Sequence, residues 1–228
     1  MFITGKKVEK NNNTKMVEIL RRLKPEMHGA AVEDMARRGI SYGLSYGVAV
    51  PVIRKVAREY APDPALAAYL FRQDVRELKL AAVYVDNPGQ VTATQMRNWA
   101  SAMPAPEIME HAAMNLFYAS PDAVEIIMEW LDDNDPLRLK GALYMAGKRA
   151  TERLDMESVL SDILVHAGKA ISEKSHVPQQ AAVYFFTKLA GITDGLCTHI
   201  MEILDAWQKQ ESPELRDLAS EIVAFLEV

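Results

Sequence analysis

Prolines recur at an interval of 15 residues in the middle of this chain, at Pro106, Pro121 and Pro136. Proline fits the first position of an α-helix, where its missing N–H needs no partner, and it stops a helix that precedes it. Other amphipathic stretches begin at Pro51, Pro64, Pro178 and Pro213. Four of these seven prolines follow a residue whose side chain can accept an N–H of the first helical turn: Asp63, Ser120, Asp135 and Ser212. The chain is therefore predicted to be a series of short helices.

Short amphipathic helices bury their apolar faces by stacking in pairs, as in a helical solenoid. No sustained alternation of apolar and polar residues indicates strands. The prediction is an all-α helical repeat forming one curved domain over residues 14–228, preceded by a mobile polar leader over residues 1–13. The predicted helices span 14–23, 30–38, 51–61, 64–73, 75–86, 93–103, 106–118, 121–132, 136–150, 156–173, 177–190, 194–209 and 213–227.

One stretch breaks this pattern. Between residues 39 and 50, three glycines at intervals of four accompany two tyrosines just before Pro51. Glycine at this density weakens a helix, because its backbone loses more freedom on folding than that of any other residue. The stretch is predicted to be a shaped loop.

Composition narrows the classes of protein and partner. The chain has 228 residues, 49% of them hydrophobic, and one cysteine, Cys197. Neither a secretory signal nor a membrane-spanning run is visible, so a cytoplasmic protein is expected. The net charge of −5 is uneven, with +6 over residues 1–60 and −6 over residues 192–228. Because salt screens charges beyond about 8–10 Å, a basic surface near the N-terminus is compatible with DNA binding but does not establish it.

Common cofactor and metal motifs are missing from the sequence. It contains no phosphate-binding glycine loop and no Cys/His pair at zinc spacing, so neither a metal nor a cofactor is expected. Arg54, Lys55 and Arg58 follow the glycine loop near a helix start, where backbone N–H groups attract phosphate. They also fit an ordinary solvated helix face, which spacing alone favours.

The chain resembles the AlkD-like family of bacterial DNA alkylation repair proteins from about Met35 to Ala190. The resemblance rests on the order and spacing of five segments, 35–38, 46–54, 74–82, 137–142 and 180–184. It implies HEAT-like helical repeats curved around duplex DNA, with a concave face carrying cations, aromatics and an acid. The implied partner is damaged, bent or branched double-stranded DNA, bound by a monomer associated with the nucleoid.

The resemblance also raises the question of catalysis. Active members release cationic N3- or N7-alkylated purines and carry Trp-Asp-x-x-Asp at the start of a middle helix. The matching positions here begin with Pro106 and end with Glu110, so the tryptophan and the catalytic aspartate are both replaced. A glycosylase would use Glu110 to stabilise charge and Tyr184 as the aromatic group at the lesion. Alternatively, Glu110 is an ordinary exposed glutamate and Tyr184 a core aromatic.

The expected DNA-binding cations are seven residues that the family pattern and the local charge bring forward: Arg37, Arg38, Arg54, Lys55, Lys140, Lys148 and Arg149. Several of them could equally lie on solvated helix faces. The rival prediction is a helical-repeat scaffold for protein partners, which the acidic middle and C-terminal segments favour. A cationic inner face would support DNA, whereas dispersed cations would support the scaffold.

Overall fold

The structure is a computed structural model that describes residues 2–40, 42–152, 159–173 and 177–226, with side chains from residue 9 onward. The described part is built from thirteen α-helices without strands, which confirms the all-α prediction. The chain divides into two compact units, Met1–Leu116 and Phe117–Val228, where the sequence analysis predicts one domain over residues 14–228.

The described residues of the first unit form seven α-helices. They are α1 (Phe2–Leu23), α2 (Gly29–Arg37), α3 (Val50–Arg58), α4 (Pro64–Phe71), α5 (Arg76–Val85), α6 (Ala93–Ser101) and α7 (Pro106–Asn115). Within this unit α5 packs against α3, α4 and α7. The Phe71 and Trp99 rings stack at a centroid distance of 3.9 Å, which joins α4 to α6. Helix α5 thus packs against its sequence neighbour α4 and against the second helix before it and after it, as in a stack of helix pairs.

The described residues of the second unit form a 3₁₀ turn and six α-helices. The turn spans Phe117–Ala119, and the helices are α8 (Ala123–Asp132), α9 (Pro136–Thr151), α10 (Leu160–Glu173), α11 (Gln179–Ala190), α12 (Asp194–Gln208) and α13 (Pro213–Leu226). Helices α8, α10 and α12 pack in succession, and so do α9, α11 and α13. Phe117, Trp130, Phe185 and Phe186 are fully buried. Two helical layers thus enclose the core of this unit.

The prolines mark the helix starts as predicted, with small offsets. Pro64, Pro106, Pro136 and Pro213 are the first residues of their helices. Pro51 is the second residue of α3, and Pro178 directly precedes α11. Asp63 and Asp135 cap their helices by accepting the N–H of Leu66 and Leu137. Pro121 lies two residues before α8, because the Ser120 hydroxyl accepts the N–H of Asp122 in a turn instead.

Helix α1 begins at Phe2, well before the start predicted near Thr14. Asn12 explains part of the difference, since its side chain is 5% exposed and donates to the carbonyl of Ala65 at 3.2 Å. The polar segment around Asn12 is thus helical, and a contact with a residue distant in sequence holds it in place. Predicted helix residues 156–158 and 227, like Met1 of the leader and Ser41 of the glycine loop, lie outside the described residues.

The glycine-rich stretch is a loop, as predicted. Its carbonyl at Leu44 accepts the N–H of Arg76 at 2.8 Å, and Leu44 forms an isolated bridge with Val75. Gly47 has φ +70°, and a Cβ there would lie 2.2 Å from the carbonyl oxygen of His28. The Tyr46 carbonyl accepts the His28 N–H at 2.9 Å, so the loop passes very close to the start of α2.

Candidate nucleic-acid interface

One face of α9 and α11 in the second unit carries interleaved lysines and tyrosines. On α9, Lys140, Tyr144 and Lys148 follow at intervals of four residues and therefore share a face. On α11, Tyr184 and Lys188 do the same. The Tyr144 and Tyr184 rings lie 5.5 Å apart between centroids, which joins the two helices across this face.

Each tyrosine of this face has a lysine near its ring. The Nζ atoms of Lys140 and Lys188 lie 5.6 and 5.8 Å from the ring centroids of Tyr144 and Tyr184. These distances are within the range of cation–π attraction. Lysine ammonium groups thus lie beside tyrosine rings. Proteins that bind single-stranded nucleic acid combine the same two kinds of group, cations for the phosphates and aromatic rings for the bases.

A third tyrosine joins from the 3₁₀ turn. The Nζ of Lys148 lies 5.5 Å from the ring centroid of Tyr118 and 2.5 Å from a carboxylate oxygen of Glu152. The hydrogen bond to Glu152 raises the pKa of Lys148. We call the set of Tyr118, Lys140, Tyr144, Lys148, Tyr184 and Lys188 the tyrosine–lysine cluster.

Burial differs among the rings of the cluster. Tyr144 is 6% exposed and forms its floor, whereas Tyr118 and Tyr184 are half-buried. Burial raises the pKa of Tyr184, so its hydroxyl stays neutral at physiological pH. The ring of Tyr184 rests against α9 because residue 147 is a glycine: a Cβ there would lie 2.9 Å from the ring. The close approach of the two helices thus determines the position of Tyr184.

Arg149 is more buried than the other predicted DNA-binding cations. The sequence analysis places it among the DNA-binding cations, but the side chain is buried, at 9% exposure. Its Nη1 donates to the carbonyls of Tyr118 and Ser120 at 2.8 and 3.1 Å. Adjacent Lys148 faces the cluster, whereas Arg149 faces the interior and holds the turn that carries Tyr118. Arg149 thus has a structural contact, and its binding to DNA stays a prediction.

In the first unit a second group of aromatic and cationic side chains lies on α3, α5 and α7. The Arg54 guanidinium lies 5.1 Å from the ring centroid of Tyr84. The Tyr84 hydroxyl is 2.9 Å from Nδ1 of His111 and 3.4 Å from Nη2 of Arg54. Burial raises the pKa of Tyr84 and lowers that of His111. The imidazole is therefore neutral at physiological pH.

Glu110 is half-buried on α7, beside His111 in sequence. Its charge favours protonation of His111, but the burial of the imidazole outweighs that effect. Glu107, one turn earlier, is held by Nε and Nη2 of Arg76 at 2.8 and 2.6 Å and by the hydroxyl of Tyr42. Burial alone would raise the pKa of Glu107, but these hydrogen bonds outweigh it and lower the pKa. The acid predicted for catalysis thus lies three residues after Glu107, which belongs to a structural ion pair.

The remaining predicted cations are exposed. Arg37 and Arg38 lie at the end of α2, and both pair with Asp34, at 3.6 and 2.8 Å. Lys55 is exposed on α3, next to half-buried Arg54. Exposed ion pairs of this kind contribute little to stability, so the arginines can exchange Asp34 for another anion.

The sequence analysis missed Glu77, which holds the glycine loop in place. Its side chain is fully buried and accepts the backbone N–H groups of Tyr46 and Val48 at 3.1 and 3.3 Å. Nη1 of Arg76 donates to Glu77 at 3.1 Å and to the Val48 carbonyl at 3.0 Å. A charged pair at the start of α5 gave no sign of burial in the sequence, because it also fits an exposed first turn.

The sequence analysis also missed Tyr118, Tyr144 and Lys188. The four-residue spacing around Tyr144 and before Lys188 could have indicated the last two. No local pattern could have found Tyr118, because it reaches the cluster from a turn. Among the side chains that the structure describes, no three of His, Cys, Asp or Glu are placed to hold a metal ion. No described helix has both the length and the hydropathy to cross a bilayer.

Comparison with known proteins identifies the class of this fold. A solved structure is similar with a TM-score of 0.71 and 17% identity, covering 82% of this chain and 81% of the other. It belongs to "a new family of proteins related to the HEAT-like repeat DNA glycosylases with affinity for branched DNA structures". The present chain is thus a helical-repeat protein with a HEAT-like fold.

Its family follows from a second comparison. A profile described as DNA alkylation repair enzyme matches residues 19–182, most of the chain. The chain belongs to the DNA alkylation repair enzyme family, which confirms the resemblance seen in the sequence. None of the curated proteins searched matches it.

Proposed function

We propose that this protein binds duplex or distorted DNA, with branched DNA as its preferred form, on basic faces of the helical repeat. The tyrosine–lysine cluster carries the proposal. It combines three lysines with three tyrosines on one face, and one of these lysines, Lys148, pairs with Glu152. The family membership and the affinity of the structural neighbour for branched DNA support it. The proposal is for a monomer acting in the cytoplasm at the nucleoid.

Phosphate neutralisation supplies the affinity in this proposal. Lys140, Lys148 and Lys188 contact phosphates in the second unit, and Arg54 and Lys55 do so in the first. Lysine and arginine contacts to phosphate release counterions, so each contact steepens the salt dependence of binding by about one unit of log–log slope. The overall charge of −5 does not oppose this, because acids more than about 10 Å away are screened at physiological salt.

The test is fluorescence anisotropy with a labelled four-way junction and a linear duplex of equal length, titrated between about 50 and about 200 mM salt. We expect tighter binding to the junction and a steep loss of affinity with salt. The double variant Lys140→Ala and Lys148→Ala should reduce the slope by about two. The control is Lys209→Ala on the exposed end of α12, which removes a lysine and its pair with Asp205. Equal slopes in all three proteins would refute the proposal.

Release of cationic alkylpurines is a second candidate function, favoured by the half-buried carboxylate of Glu110 on α7. We propose that the half-buried Glu110 carboxylate stabilises positive charge on the departing nucleoside. The test is release of 7-methylguanine or 3-methyladenine from methylated DNA. Release that persists unchanged in Glu110→Gln, or never exceeds the spontaneous rate, would remove this candidate.

A protein-binding scaffold is the rival to both. The acidic segment 192–228 favours it, with a charge of −6. The same titration separates a DNA-binding protein from a protein-binding scaffold. A scaffold should show no binding to the junction or the duplex that depends on Lys140 and Lys148.

A further inference from the structure

The tyrosine–lysine cluster offers more than charge. Tyr118 and Tyr184 are half-exposed on the α9 and α11 face, each with a lysine within 6 Å of its ring. Lys188 makes no ion pair with any residue that the structure describes. Binding to phosphates requires only cations, so it does not explain the tyrosine rings of the cluster.

We propose that the rings of Tyr184 and Tyr118 stack on base faces left uncovered at branch points and gaps in DNA. This inference rests on the proposed function and names the feature of branched DNA that is recognised. Lys188 and Lys148 neutralise the phosphates next to the stacked base. Buried Tyr144 supports the ring of Tyr184 from below.

Stacking distinguishes these sites from a continuous duplex. Inside a duplex both faces of every base are covered by neighbouring bases, so a tyrosine ring finds no partner there. A gap or an incompletely stacked junction leaves a base face open, and aromatic side chains stack on such faces regardless of sequence. The affinity gained is therefore specific for the shape of the DNA and independent of its sequence.

A base that stacks on one of these tyrosine rings has to replace the lysine that lies beside the ring. In the structure the lysine heads lie 5.5 and 5.8 Å from the centroids of the Tyr118 and Tyr184 rings. The cation–π attraction of exposed Lys188 is weaker than base–aromatic stacking, and half-buried Lys148 also exchanges its carboxylate partner Glu152 for phosphate. A base therefore displaces the lysine from the ring, and the flexible lysine stem carries the ammonium group to a phosphate.

The experiment compares two probes: a duplex with a short unpaired gap that contains 2-aminopurine, and an ungapped duplex of the same length. Tyr184→Ala should lower affinity for the gapped probe about tenfold and leave affinity for the ungapped probe nearly unchanged. Tyr184→Phe keeps the ring and should bind as the wild type does. The matched control is Tyr69→Ala on α4, since Tyr69 also lies near a cation, with Arg72 5.7 Å from its ring, but outside the cluster.

A direct readout comes from the 2-aminopurine. Its fluorescence should fall when the wild type binds and should not fall with Tyr184→Ala. If Tyr184→Ala fails to fold, Tyr118→Ala and the fluorescence of the wild-type complex decide. Equal losses on the gapped and ungapped probes, or unchanged 2-aminopurine fluorescence in the wild-type complex, would overturn the stacking proposal alone. Absence of all DNA binding by the wild type would overturn the proposed function as well.

Discussion

Replacement of Glu77 by glutamine tests how the glycine loop is held. The change keeps the size of a fully buried side chain and removes its charge. Oε1 accepts from Val48 N at 3.3 Å and from Nη1 of Arg76 at 3.1 Å, while Oε2 accepts from Tyr46 N at 3.1 Å. All of these partners are donors. The amide nitrogen of glutamine must therefore face one set of N–H groups and leave it without an acceptor.

The magnitude follows from these contacts. A lost hydrogen bond to a charged group costs about 1.5–3 kcal/mol, and a buried N–H without a partner adds about 1–3 kcal/mol. Arg76 keeps its two hydrogen bonds to Glu107, so no buried cation is left unpaired. We expect Glu77→Gln to lower the free energy of unfolding by about 3 kcal/mol, near the lower limit for a broken buried pair.

Urea denaturation followed by circular dichroism measures this change, and amide hydrogen exchange locates it. The amides of Tyr46 and Val48 should exchange faster in the variant. Glu59→Gln is the control, because the pair of Glu59 with Arg22 is solvent-exposed and its loss should leave the denaturation curve unchanged. A Glu77→Gln protein as stable as the wild type would refute the assignment of the loop anchor to this carboxylate.

Three further predictions address other positions. Glu107 has a pKa below its usual value, so the unfolded state takes up protons first and the free energy of unfolding should fall as pH drops below about 5; Glu107→Gln should flatten that profile. Gly47→Ala should cost about 3 kcal/mol in urea denaturation, since it combines positive φ with a Cβ 2.2 Å from a carbonyl oxygen. Gly147→Ala should displace the Tyr184 ring and weaken junction binding in the anisotropy assay.

The two glycine predictions each have a control in the same chain. Gly39 also has positive φ, +75°, but a Cβ there meets nothing within 4 Å, so Gly39→Ala should cost only about 1 kcal/mol. Gly168→Ala places a Cβ in ordinary contact with Ile203 and should leave DNA binding unchanged. If Gly47→Ala lowers the free energy of unfolding no more than Gly39→Ala does, the close approach of Gly47 to the His28 carbonyl is contradicted. If Glu107→Gln leaves the pH profile unchanged, the effect of the Arg76 and Tyr42 hydrogen bonds on Glu107 is contradicted.

The helix starts were predictable because their causes are local. A proline with a preceding Asp63 or Asp135 acts within one helical turn, and the structure shows both caps. The start of α1 was not predictable from the same signals. Asn12 fits a turn by its type, yet it lies inside a helix because its side chain reaches the carbonyl of Ala65, more than 50 residues away.

The candidate interface was predictable only in part. Lys140 and Tyr184 came from the family resemblance and Lys148 from the local charge, and the structure gathers these three in the tyrosine–lysine cluster. Tyr118 reaches the same cluster from a turn, which no helical periodicity could indicate. The ion pair of Arg76 with Glu107 joins two helices, and composition shows only that both charges exist.

Local signals are sufficient to predict a run of short helices, because proline, capping residues and apolar spacing act over a few residues. Tertiary structure alone decided which charges face solvent. Lys148 and Arg149 are neighbours of similar charge, yet one lies beside Tyr118 and the other is buried under the same turn. The reason is rotational: adjacent positions of a helix point about 100° apart, and packing against its neighbours determines which of them faces inward.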